Sequence, residues 1–311
     1  MENPEEASYP DEITAVLEHE GIDEPELLGK GGEGHIFVRS DTDVIKIYPG
    51  GEESYLEKLK TVHGGLARRG LSFETPRIKE IRTHEGTPYT VERRLSGTPM
   101  AQACAKATPQ DRQTILLAFL DAAYELGTVE VSRPPFGDYV ERDGMLNSKV
   151  WTEYLLAKLD EALAKSRERL TADVEDFDKV VDYLREYIPA NLACEQKALV
   201  HNDFWPANVL VGEENNISAV MDYSVLAVIG DSRMDLCGAL NYLILDDGFT
   251  RHDADFLRAH LKFRGGDELM EVLDAYYAYS AIFWGESATF EDPLLYEWVK
   301  TALKIIVGKI T

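Results

Sequence analysis

The stretch that most restricts this chain is Leu199-Val200-His201-Asn202-Asp203-Phe204-Trp205-Pro206-Ala207-Asn208-Val209-Leu210-Val211, with Ile217-Ser218-Ala219-Val220-Met221-Asp222-Tyr223 close behind. Short apolar runs on either side of a polar loop read as strands. The loop sets out a carboxylate, Asp203, and then an amide, Asn208, five residues on. A second carboxylate, Asp222, follows fourteen residues later at the end of the next apolar run. Phosphoryl transfer asks for this set: one carboxylate to orient an attacking hydroxyl, and hard oxygen ligands to hold Mg²⁺ against a nucleotide's phosphates. Asp203 fits the first role, and Asn208 and Asp222 fit the second.

The spacing is that of a kinase catalytic loop, H-x-D-x-x-x-x-N, followed by a metal-binding Asp. The Arg usual between His and Asp in eukaryotic protein kinases is absent, and Met221-Asp222-Tyr223-Ser224 stands in place of D-F-G. This form resembles the aminoglycoside phosphotransferase-like (choline and small-molecule kinase) branch of the protein-kinase-like superfamily. There the loop commonly runs H-G-D-x-x-x-x-N, then I-D-F or I-D-W, then G-D…D-L. Ile229-Gly230-Asp231-Ser232-Arg233-Met234-Asp235-Leu236 supplies the last piece.

Upstream, Gly29, Gly31 and Gly34 satisfy G-x-G-x-x-G, with Gly32 beside them. In a dinucleotide-binding domain such glycines lead into a helix, whereas in a kinase they form a hairpin over the phosphates. Here strand-like His35-Ile36-Phe37-Val38 is followed by a turn and Val44-Ile45-Lys46-Ile47-Tyr48, which is strand, turn, strand. Glycine suits a backbone that must approach phosphates closely. Lys46 resembles the kinase lysine that holds the α- and β-phosphates. A buried ammonium needs an anionic partner, which is expected on a helix over residues 52–69. Glu57 is the first candidate there and Glu53 its rival.

Thr75-Pro76-Arg77-Ile78 and Tyr89-Thr90-Val91-Glu92-Arg93-Arg94-Leu95-Ser96-Gly97 resemble the fourth and fifth strands and the hinge of these kinases. The hinge backbone from Glu92 would receive the adenine edge, with Ile36 and Val44 against the ring. The resemblance thus implies an α+β, two-lobed protein-kinase-like fold. Its N-lobe, residues 1–96, is a small antiparallel sheet with one helix that binds the nucleotide. Its C-lobe, residues 97–311, is mostly helical and carries the catalytic loop and the acceptor site. Apolar residues at helical spacing predict helices over 109–129, 148–169, 174–190, 235–246, 252–263, 267–284 and 293–309. Arg133-Pro134-Pro135-Phe136-Gly137-Asp138 reads as a loop. Some of Tyr276, Tyr277, Tyr279, Phe283 and Trp284 are candidates to wall the acceptor pocket.

The resemblance also assigns roles. Asp203 orients the acceptor hydroxyl and takes its proton, Asn208 and Asp222 bind Mg²⁺, and Lys46 with the glycine-loop amides holds the triphosphate of ATP. His201 steadies the loop and Asp222, and Asp235 braces the loop by accepting backbone N–H groups near His201 and Asn202. No Lys lies two residues past Asp203, no A-P-E follows Asp222, and the run from Asp222 to Asp235 is short for a protein-kinase activation loop. A small-molecule hydroxyl is therefore the expected acceptor. An atypical protein kinase and a nucleotide-binding pseudoenzyme scaffold are the alternatives.

Charge adds to this. Asp and Glu number 56 against 32 Lys and Arg, a net charge of −24. Such an excess repels nucleic acid and anionic membranes and suits a protein working in very high salt, where self-repulsion is screened. Cys104, Cys194 and Cys237 are odd in number and widely spaced, and read as reduced thiols of a cytoplasmic protein. The acidic start is no signal peptide, and no apolar run reaches the roughly twenty residues of a membrane span.

Overall fold

The computed structural model describes residues 9–131, 135–140, 144–287 and 293–311. Two compact units emerge. The first comprises the described residues of Met1–Gly70, Glu74–Ser96 and Met221–Tyr223, and the second Leu71–Phe73, Gly97–Val220 and Ser224–Thr311.

In the first unit, α1 (Asp11–His19) precedes β1 (Leu27–Lys30), β2 (His35–Val38) and β3 (Asp43–Ile47). Then come α2 (Glu53–Leu66), β4 (Ile78–His84) and β5 (Thr87–Arg93). The five strands form one antiparallel sheet in the order β1-β2-β3-β5-β4. The β4–β5 connection is two residues, Glu85 and Gly86, with φ of 48° and 87°. Positive φ at both is the geometry that matches strand twist in a tight hairpin. Strand alternation sends Phe37, Ile45, Ile47 and Tyr89 to one face, where they pack on Ile13, Val16 and Leu17 of α1. Burying such side chains stabilises by about 1.5–3 kcal/mol each. The register places Ile36 opposite Lys46, Lys46 opposite Thr90, and Val44 opposite Glu92. These residues therefore share the other face.

In the second unit, β6 (Thr98–Pro99), α3 (Met100–Lys106) and α4 (Pro109–Leu126) come first. The Thr108 side chain accepts the Asp111 N–H and Pro109 opens α4, both favourable at a helix start. Next are β7 (Phe136–Asp138), β8 (Asn147–Ser148), α5 (Trp151–Asp173) and α6 (Phe177–Asn191), then β9 (Ala198–Val200), β10 (Val209–Val211), β11 (Ile217–Val220) and β12 (Val228–Gly230). Helices α7 (Arg233–Asn241), α8 (Arg251–Ser287) and α9 (Pro293–Ile310) end the chain, α8 kinking at Gly266, where φ is 68°.

Two small sheets, β11-β10-β6 and β8-β7-β12-β9, hold the loops among these helices. Phe136–Asp138 is a strand, not the loop its Pro and Gly content implies, because β12 offers it a partner. Arg133 and Pro134 of that expected loop lie outside the described residues. The predicted helices over 252–263 and 267–284 are both present as the two arms of α8, parted at Gly266, whose φ of 68° and ψ of −167° are not helical, and α3 is an addition. Among the described residues, no helix is long and apolar enough to cross a membrane. All three cysteines are free, with Cys104 and Cys237 buried and Cys194 half-buried.

Candidate active site

The loop expected to carry the catalytic residues leaves β9 at His201, makes a 3-10 turn at Pro206–Asn208 and enters β10. Asn202 stands between His201 and Asp203, and its φ is 63°. Only Gly, and to a lesser degree Asn or Asp, takes this conformation cheaply. The Asn202 side chain also donates to the Leu226 carbonyl at 3.1 Å.

Beneath the loop, Asp235 is 1% exposed and accepts the backbone N–H groups of His201 and Asn202, each at 2.9 Å. Burial pushes its carboxyl up to about 6, against the opposing pull of His201 and the two amides. His201 is buried, and its Nδ1 accepts the Asp203 N–H at 3.3 Å. Asp203 is half-buried. Its Oδ2 and its carbonyl both accept from Nδ2 of Asn208, at 3.0 and 2.9 Å. Asn208 has thereby committed its amide nitrogen, which leaves its side-chain oxygen to offer to a cation.

The segment behind the loop is fixed by packing and polar contacts. A Cβ on Gly230 would run into the Trp151 ring, so only glycine fits beside that indole. Asp231 accepts the Tyr276 hydroxyl at 2.7 Å, and the Trp151 indole N–H donates to the same hydroxyl at 3.0 Å. Of the candidate acceptor-wall aromatics, Tyr276, Tyr277 and Tyr279 are buried core residues, while Phe283 and Trp284 keep partial exposure. A separate cavity of about 340 Å³ is lined by Arg112, Thr250, Asp253 and Phe256. Its guanidinium is engaged by Asp253, Cys104 O and Gly248 O, which marks a structural tie.

In the first unit, Lys46 is the focus. Its Nζ donates to Asp222 Oδ1 at 3.2 Å and lies 3.7 Å from Glu33 Oε2. Burial works to lower the Lys46 pKa, yet Asp222, Glu33 and Glu92 outweigh it and the pKa sits above its usual value. Asp222 is exposed and has φ of 58°.

The acidic partner expected on the helix is not there. Glu57 is exposed, and Glu53 accepts the Thr83 hydroxyl. The reason is rotational: α2 turns Leu56, Leu59, Val62, His63 and Leu66 inward, and position 57 lies across the helix from that stripe. Glu33 from the glycine loop supplies the carboxylate instead, tied to α2 by the Tyr55 hydroxyl at 2.7 Å. Its signal in the sequence was the acidic residue inside an otherwise small-residue run.

Among the glycines, Gly29, Gly31 and Gly32 have open space where a Cβ would stand. Gly34 has none, because a Cβ there would meet the Ile47 carbonyl. Ile36 is half-buried and Val44 buried, on the Lys46 face of the sheet. Glu92 contributes its side chain to that face: it is 8% exposed and accepts from the Thr90 hydroxyl at 2.6 Å and the Tyr48 hydroxyl at 3.5 Å. The amides of Arg93 and Arg94 are taken by Arg77 O and Thr42 O. His63 is a further buried polar group that sequence reasoning passed over.

The family model described as the phosphotransferase enzyme family matches residues 26–276. The chain belongs to that family. Solved structures of similar fold include aminoglycoside phosphotransferase APH(2")-IIa in a ternary complex with streptomycin and ATP, at 15% identity and TM-score 0.61, covering 96% of this chain and 97% of that one. Aminoglycoside 2'-phosphotransferase-IIIa with GDP is 15% identical, with TM-score 0.62 and coverage of 97% and 99%. Macrolide 2'-phosphotransferase type I is 18% identical, with TM-score 0.57 and coverage of 90% and 89%. No curated protein matches the sequence at a comparable level. The fold of this phosphotransferase is therefore the two-lobed, protein-kinase-like α+β fold.

Proposed function

We propose that this phosphotransferase moves the γ-phosphate of ATP to a hydroxyl of a small molecule. The observation that carries the reading is the Asp203–Asn208 pair, held at a fixed loop by the buried Asp235. A nucleotide-binding scaffold has no use for a carboxylate so placed. Asp203 orients the acceptor hydroxyl and takes its proton. Residues 1–96 serve as the nucleotide lobe and 97–311 as the catalytic and acceptor lobe.

Lys46 and the backbone amides of Gly29, Gly31, Gly32 and Gly34 hold the phosphates. Ile36 and Val44 pack on the base. With the Arg93 and Arg94 amides committed, the Leu95 N–H is the hinge donor offered to adenine.

Mg²⁺ suits the donor set. The side-chain oxygens of Asn208 and Asp222 are hard ligands, and among the described residues no group of three or more His, Cys, Asp or Glu gathers into a ready-made metal site. Two protein ligands completed by phosphate oxygens and water is the usual Mg²⁺ arrangement. When bound, the cation neutralises charge on the phosphates.

Structural relatives that bind streptomycin or are named for macrolide phosphorylation support an acceptor of that size. Phe283 and Trp284, half-buried, are the candidate aromatics that keep some exposure toward it. Free cysteines and the charge of −24 support a cytoplasmic enzyme adapted to high salt. ATP consumption, screened over sugars, amino alcohols, aminoglycosides and macrolides in molar KCl, tests the reading. The expected result is acceptor-dependent turnover lost in Asp203→Asn, and turnover with protein acceptors alone would overturn it.

A further inference from the structure

Helix α2 turns five residues into the first unit: Leu56, Leu59, Val62, His63 and Leu66. Four are apolar. His63 is 3% exposed, and its Nε2 lies 3.2 Å from the backbone carbonyl of Tyr223. A carbonyl only accepts, so Nε2 carries the hydrogen and Nδ1 holds the lone pair. That Nδ1 is buried with no hydrogen-bond partner among the described residues. Leaving a hydrogen bond unmade at a buried polar atom costs stability. A leucine would fill this place in the stripe without that cost, so packing alone does not explain an imidazole.

The bond it makes is to the residue directly after Asp222. Asp222 sits in the left-handed region at φ 58°, a conformation that Asp adopts more readily than most residues but less readily than glycine. Contacts on both sides hold the backbone there. On one side Lys46 grips the Asp222 carboxylate. On the other, the Tyr223 carbonyl is fixed by His63, 160 residues away in the chain. The charged groups facing the imidazole are Glu92 on β5, Lys46 on β3 and Asp222 itself. Burial keeps its pKa below the usual value against the pull of Glu92, so the ring stays neutral with a single donor.

We infer that His63 is a positioning residue: its Nε2–H holds the Tyr223 carbonyl and so sets the backbone that presents the Asp222 carboxylate to Mg²⁺. The inference rests on the reading of Asp222 as a metal ligand. It gives α2 a polar task in the site, although the helix turns no carboxylate inward.

The test uses the full-length protein and a fluorescent ATP analogue, with Mg²⁺ titrated at fixed analogue. His63→Gln carries an amide donor to about the place of Nε2, whereas His63→Asn is one carbon shorter and does not reach. Both are polar and close in volume, so they share any general destabilisation. His63→Asn should raise the Mg²⁺ needed for half-maximal binding by about tenfold, the scale of one net hydrogen bond of roughly 1 kcal/mol or slightly more, with analogue affinity in the absence of metal unchanged. His63→Gln should return the Mg²⁺ requirement to within about threefold of wild type on the same reasoning.

Equal Mg²⁺ requirements for Asn and Gln variants, whether both raised or both at the wild-type value, would overturn the inference. Asp222→Ala serves as the control. If it loses Mg²⁺-dependent binding while the two His63 variants agree, the inference alone fails. If it keeps that binding, the metal-ligand reading fails, and this inference with it.

Discussion

Lys46 and Asp222 lie 176 residues apart in sequence, and the Lys46 ammonium donates to the Asp222 carboxylate at 3.2 Å. The carboxylate is exposed while the ammonium is nearly enclosed, at 43% and 12% side-chain exposure. The pair is thus more open from the Asp222 side, and on the proposed function a phosphate–Mg²⁺ unit would exchange for it without leaving Lys46 unpaired.

Removing the carboxylate should therefore disable metal-dependent binding more than folding. Asp222→Ala is expected to lose most of the rise in melting temperature that ATP–Mg²⁺ gives the wild type. A rise of wild-type size in the variant would exclude Asp222 as a metal ligand.

Glu33 sets a second negative charge 3.7 Å from the Lys46 ammonium, where on the proposed function the phosphates would approach. Glu33→Gln keeps the shape and can still accept from Tyr55, but lifts the repulsion. ATP–Mg²⁺ affinity should improve by about three- to tenfold, the scale of roughly 1 kcal/mol for a partly exposed charge. Weaker binding in a direct titration would mean that Glu33 orders Lys46 more than it competes with phosphate.

Asp203→Asn retains the contact with Asn208 in part but cannot take a proton. Phosphotransfer to a verified acceptor should fall by about 10²–10⁴-fold, with nucleotide affinity near that of wild type. Turnover at more than a tenth of wild type would remove Asp203 as the base.

Asp235 makes stability depend on pH in a direction unusual for a carboxylate. Its carboxyl stands at about 6 in the folded protein against an ordinary value of 3.8. Between these values the native state holds a proton that the unfolded chain has released, so stability falls as pH rises through that interval and levels off above it. Asp235→Asn lacks this slope and places an amide against two backbone N–H groups, so it should be less stable throughout. The gap in melting temperature should narrow from about pH 4 to pH 6 and stay constant above. A gap that widens with pH would reverse the assignment.

The charge of −24 yields a salt prediction. Melting temperature should climb steeply from dilute buffer to molar KCl as self-repulsion is screened. A flat curve would dismiss adaptation to high salt.

The parts of the fold legible in the sequence were those written locally. The strand-turn-strand pattern after Gly34 reads directly because alternation reports burial. Asp235 could be placed beneath the loop because its distance from Asp203 fits a known pattern, and both its bonds to the loop amides are present. What stayed hidden depends on rotation or on distant partners. Glu57 fails by about half a turn of helix. Phe136–Asp138 becomes a strand only because β12, some ninety residues later, pairs with it. His63 looks like one polar interruption in an apolar stripe until Tyr223 is brought beside it. Glu33 reads as part of a flexible run until Lys46 and Tyr55 meet it.

Asn202 couples two demands that a turn residue usually keeps apart. Its left-handed backbone alone would accept glycine as readily as asparagine. Its side chain, however, donates to the Leu226 carbonyl. Asn202→Gly would keep the turn and drop the tie to the segment after Tyr223. The position is thus less tolerant than its backbone conformation implies, and the loop and the segment around Leu226 cannot shift apart without breaking that bond.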